Sequence, residues 1–92
     1  MDEGTQPDYE RRLGVVEAIT IVTRQCPNAA VRSLAEQALR TIAQEGASAL
    51  PTQAYLVVTA MRGWRGDRAT QVARSLDAFL ADRAHGEHED GD

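Results

Sequence analysis

The chain has 92 residues, 42% of them hydrophobic, with ten basic against fourteen acidic side chains and a formal net charge of −4. That length supports one small domain, whose folding hides roughly 60% of the unfolded surface, and the single cysteine, Cys26, excludes an internal disulfide. No N-terminal apolar run reads as a signal peptide and no stretch approaches the roughly 20 apolar residues of a membrane span, so a cytoplasmic protein without a membrane partner is expected. Every basic residue is arginine, which together with abundant alanine points to a GC-rich bacterial genome.

Residues 1–7 are polar, carry Asp2 and Glu3 and end at Pro7, the composition of a disordered tail. Residues 8–84 read as the folded domain, where ten arginines face eight carboxylates. Asp8 suits a helix N-cap, and a first helix is expected over residues 9–25. Its Leu13, Val15, Val16, Ala18, Ile19, Val22 and Cys26 form a broad apolar surface, interrupted by Arg12 and Glu17. The β-branched run Ile19, Thr20, Ile21, Val22, Thr23 also suits a strand, but no alternating partner or hairpin turn lies near it, which favours the helix. The apolar surface is wider than one neighbouring helix requires.

Pro27 and Asn28 separate this helix from a second, capped by Asn28 and ended by Gly46. Val31, Leu34, Ala35, Ala38, Leu39 and Ile42 form its buried stripe, with Arg32, Glu36 and Arg40 opposite. A loop over 46–50 leads to residues 51–61, the most apolar stretch, with Pro51 at a first-turn position. As a helix it places Leu50, Ala54, Val57, Val58 and Met61 on one face and turns Tyr55, Leu56 and Ala60 elsewhere. Such an element is central or meets a partner chain; for residues 55–59 both helix and strand stay open. Gly63 and Gly66 bracket a short turn. Asp67 then caps a last helix that buries Ala69, Val72, Ala73, Leu76, Phe79 and Leu80, exposes Gln71, Arg74, Ala78 and Asp82, and closes near Ala84. Residues 85–92 carry Glu87, Glu89, Asp90 and Asp92 and read as a disordered acidic tail.

A shift of 42 residues lays Val15, Val16 and Ala18 on Val57, Val58 and Ala60, and Arg32, Ser33 and Leu34 on Arg74, Ser75 and Leu76. The matches fall at equivalent places in two helical hairpins. The expected architecture is therefore all-α, a four-helix domain built of two αα-hairpins.

The strongest candidate surface is Arg62, Trp64, Arg65, Arg68 and Arg74, with Asp67 among them. Guanidinium groups fork onto phosphates and carboxylates, and an indole beside them stacks on a base or anchors a protein interface. The competing reading folds Trp64 inward and leaves the arginines to solvate a loop. Residues 39–48 followed by Pro51, Thr52 and Tyr55 resemble the corner of helix-turn-helix transcription regulators, a resemblance that implies DNA binding. The second helix of that corner would present Ala54, Tyr55, Leu56, Val57 and Val58, where the major groove calls for polar or basic residues.

Catalytic signatures are absent from the sequence: no glycine-rich phosphate loop, no paired metal-binding histidines on a helix, and no serine or cysteine beside an evident base. His85 and His88 belong to the acidic tail, which supplies no framework for a metal site, and no cofactor is expected. Cys26 reads as a small core residue, and Glu17 as a rim carboxylate paired with Arg24 or Arg12. The expected function is a non-catalytic protein-protein interaction or regulatory module. It pairs as a homodimer through Val15, Ile19, Val22, Tyr55 and Leu56 and binds an unidentified protein partner through Arg62, Trp64, Arg65, Arg68 and Arg74. The alternative is a nucleic-acid-binding regulator that uses the same arginine patch.

Overall fold

A computed structural model of the chain describes residues 9–90, with side chains as far as residue 83. Its elements are α1 (Val15–Gln25), α2 (Ala29–Glu45), a 3-10 turn (Gly46–Ala49), α3 (Leu50–Ala60) and α4 (Asp67–Asp90). The all-α class follows the sequence expectation. The four separated helices do not, because α2, the 3-10 turn and α3 follow one another over residues 29–60 with no intervening loop, so the described residues form three helical stretches. The middle one changes direction at a single residue, Gly46, whose φ of 80° and ψ of −159° lie where side chains are not accommodated.

Local chemistry accounts for most boundaries. The Asn28 side-chain oxygen accepts from the N–H groups of Ala30 and Val31 at 2.9 and 3.2 Å, satisfying two of the orphan donors that open α2. Pro51 sits in the first turn of α3, where no N–H is required. Both β-branched stretches are helical. In α1 the hydroxyls of Thr20 and Thr23 donate to the carbonyls of Val16 and Thr20 at 2.7 and 2.6 Å, giving these side chains partners on the helix itself.

The first helix begins later than residue 9. It opens at Val15, after Gly14 in extended backbone, and residues 9–14 lie as a non-helical strap along α4. The cause is on α4. Ser75 Oγ accepts the Leu13 N–H at 2.9 Å, and Gln71 Nε2 donates to the Arg11 carbonyl at 2.8 Å. Gln71, expected in solvent, is 2% exposed and Ser75 3%. Leu13 is buried beside them, so the strap contributes an apolar anchor together with backbone groups that satisfy two buried polar side chains. The last helix also differs at both ends. Asp67 is its first residue rather than its cap, preceded by Gly66 at φ 118°, and its backbone continues past Ala84 to Asp90. The expected tail over 1–7 lies outside the described residues, as do the side chains of the expected tail over 85–92.

Chain neighbours pack in sequence order, α1 on α2, α2 on α3, α3 on α4, and α1 closes the ring against α4 while also touching α3. Ala18, Ala35, Ala38, Ala54 and Ala69 are buried in the shared core, and small side chains there let helix axes approach closely. Larger groups, Ile19, Val22, Val57, Met61, Val72 and Leu76, fill the centre. This arrangement corrects one interface expectation: Val15, Ile19 and Val22 are buried in the core of their own chain. Three neighbouring helices cover these three side chains, and Val16 of the same apolar surface stays exposed.

Two stability tests follow. A Cβ at Gly46 meets no atom within 4 Å, so Gly46→Ala carries a backbone cost alone, about 1–3 kcal/mol, read as a lower urea midpoint with unchanged slope. Ser75→Ala removes the acceptor of a buried N–H and should cost about 1–3 kcal/mol in the same melt.

Candidate functional site

The turn after α3 is closed by the Trp64 N–H donating to the Met61 carbonyl at 2.9 Å. This places the indole, half-buried and packed against the core, as a wall between two clefts. One, of about 360 Å³, lies against the α1–α2 corner and is lined by Cys26, Pro27, Val31 and Met61. The other, of about 540 Å³, runs between α3 and α4, with Val58, Met61, Ala69 and Ala73 as apolar lining and Arg62, Arg74 and Asp77 as its charged groups. Trp64 is therefore neither fully enclosed nor displayed in solvent.

The five-residue arginine and tryptophan patch divides. Arg62, Trp64 and Arg74 come together on the α3–α4 groove, and Arg65 is exposed in the turn. Arg68 turns to the strap side. Its guanidinium carbon lies 4.8 Å from the centre of the Tyr9 ring, a cation–π contact, and its Nη1 donates to Gln71 Oε1 at 2.6 Å. Its Nε is buried without a hydrogen-bond partner among the described residues. Arg68, Gln71 and the Arg11 carbonyl thus form one hydrogen-bonded chain that supports the strap.

A second surface comes from α3. Residues 46–61 contain no charged side chain. The helix buries Ala54, Val57 and Val58 and turns Thr52, Tyr55, Leu56 and Thr59 outward, with Tyr55 59% and Leu56 42% exposed. Leu56 also borders a shallow cleft of about 300 Å³ between α2 and α3, together with Leu34, Thr41 and Gln53. Tyr55 and Leu56 are thus the two surface members of the expected interface set. Val16, 49% exposed on α1, was not among the expected contact residues. Its signal was its position beside Val15, since successive residues on a helix point in different directions. As a recognition helix α3 is unsuitable, because it displays no cation to phosphate and no charged group to a base edge.

The remaining reactive groups have structural surroundings. Cys26 is buried, and its carbonyl accepts from Arg32 Nη1 at 2.7 Å, tying the α1–α2 corner. Glu17 is exposed and pairs with Arg11 at 2.7 Å instead of Arg12 or Arg24, while Arg12 reaches Asp82 at 2.8 Å. The Arg11 hydrogen bond is the largest influence holding the Glu17 carboxyl below its ordinary range. The side chains of His85 and His88 lie outside the described residues, among which no group of three or more His, Cys, Asp or Glu gathers. No helix among the described residues is long and apolar enough to cross a membrane. Comparison with protein-family models, with curated proteins and with solved structures finds no match in any of the three.

A lowered carboxylate pKa in the folded state stabilises above the unfolded glutamate value, and that contribution is lost as pH falls through the folded value. Arg11→Ala should raise the Glu17 pKa toward its ordinary value in a carbon-13 carboxyl titration by NMR, whereas Arg24→Ala should leave it in place.

Proposed function

We propose that the chain is a small non-catalytic helical interaction module that pairs with a second copy of itself through the outer face of α3. The observation that carries this reading is the absence of charge along residues 46–61, combined with outward-facing Tyr55 and Leu56. The centres of protein interfaces are depleted in charged residues and enriched in aromatic ones. In a two-fold pair the same patch lies on both subunits, and an uncharged face meets its copy without like-charge repulsion. Pairing also adds burial to a domain whose own core is limited by its length. The nucleic-acid reading through Arg62, Trp64, Arg65, Arg68 and Arg74 has weaker support. Arg68 is engaged on the strap side, and the net charge of −4 opposes phosphate.

Sedimentation equilibrium tests the pairing. The unaltered chain should be dimeric in the micromolar range, and Tyr55→Glu combined with Leu56→Glu should be monomeric with unchanged helical circular dichroism, since both positions face solvent. A monomer at high micromolar concentration overturns the proposal.

A further inference from the structure

We infer that the groove between α3 and α4 is a separate binding site, for a segment of a partner protein that sets a carboxylate beside a bulky apolar side chain. The groove has both halves of that chemistry. Val58, Met61, Ala69 and Ala73, with Trp64 as a wall, line an open trough of about 540 Å³. Arg62 and Arg74 border it with the single carboxylate of Asp77, and Arg74 also borders a smaller cleft on the strap side beside Tyr9 and Glu10. Both arginines are exposed, and neither makes an ion pair or hydrogen bond among the described residues. Arg24, Arg40 and Arg65 are likewise exposed without such a partner among the described residues, and Arg62 and Arg74 differ from them in bordering the apolar trough. Two unengaged guanidinium groups beside an apolar trough match a carboxylate through forked hydrogen bonds and an adjoining side chain through burial. The aliphatic lining favours a peptide, which can bury an apolar side chain there, over nucleic acid.

The groove adjoins the self-pairing face without coinciding with it. Leu56 borders the α2 side and Val58 the α4 side, about 160° apart around the helix axis, whereas Tyr55 lies about 60° from Val58.

Trp64 is the chain's only tryptophan and lines the groove, so its emission reports occupancy. The probe is an acetylated, amidated peptide in which leucine and phenylalanine alternate with glutamate, compared with the same peptide carrying lysine for glutamate and with a single-stranded oligonucleotide. The glutamate peptide should give a saturable shift in Trp64 emission that weakens with added salt, and the lysine peptide should give none. Arg62→Glu with Arg74→Glu should weaken binding by about tenfold or more. The milder pair Arg62→Gln with Arg74→Gln should show a loss in the same direction, and circular dichroism checks that each variant is folded. No shift at about 1 mM peptide, equal response to the lysine peptide, or tighter binding of the oligonucleotide each overturns the assignment.

Discussion

Two polar side chains on adjacent turns of α4, Gln71 and Ser75, hold the start of the domain against its last helix, and the rest of the packing follows from that closure. Each is buried, and a buried polar group is tolerated only when its hydrogen bonds are made. The strap over residues 9–14 makes them, through the Arg11 carbonyl and the Leu13 N–H. With the strap in place, Leu13 enters the core and α1 is directed between α2 and α4, where its apolar width is covered on three sides. The ion pairs of Arg11 with Glu17 and Arg12 with Asp82 lie at the surface and add little by comparison.

Much of this was legible from local patterns. The second helix carried its own boundaries, Asn28 at one end and Gly46 at the other, and its single apolar stripe pointed to the buried Val31, Ala35 and Ala38. The beginning of α1 was hidden because Glu10, Arg11, Arg12 and Leu13 are all acceptable in a helix, and the groups that draw them out of one lie about sixty residues away in sequence. A glutamine at a nominally outward position looks like solvent-facing surface until its partner is known. The same limit applied to Val15, Ile19 and Val22, whose number suggested a second chain when a three-sided environment within one chain accounts for them.

The arginine patch shows how proximity in sequence differs from proximity on a helix. Arg68 and Arg74 are six residues apart on α4, which sets them about 120° apart around its axis, so Arg68 supports the strap while Arg74 stands between the strap-side cleft and the groove. Arg62 reaches that groove from the end of α3, and Trp64 from the turn that follows. The sequence located the cluster but not its division. On α3 the informative signal was an absence, the missing charge over residues 46–61, which a search for reactive side chains passes over.

That missing charge has a further consequence. Tyr55, Leu56, Val57, Val58 and Thr59 form a block rich in aromatic and β-branched residues, without proline, and the nearest charges in sequence are Glu45 and Arg62. Such a block is the composition of a cross-β aggregation core, and natural chains ordinarily guard it with flanking charges. Here the protection is conformational. Helical backbone occupies the hydrogen-bonding groups, and Val57 and Val58 are held in the core. Resistance to fibril formation therefore rests largely on how rarely α3 opens, since the lack of charge that suits the segment to docking leaves Arg62 as the near flanking charge on one side and none before Glu45 on the other.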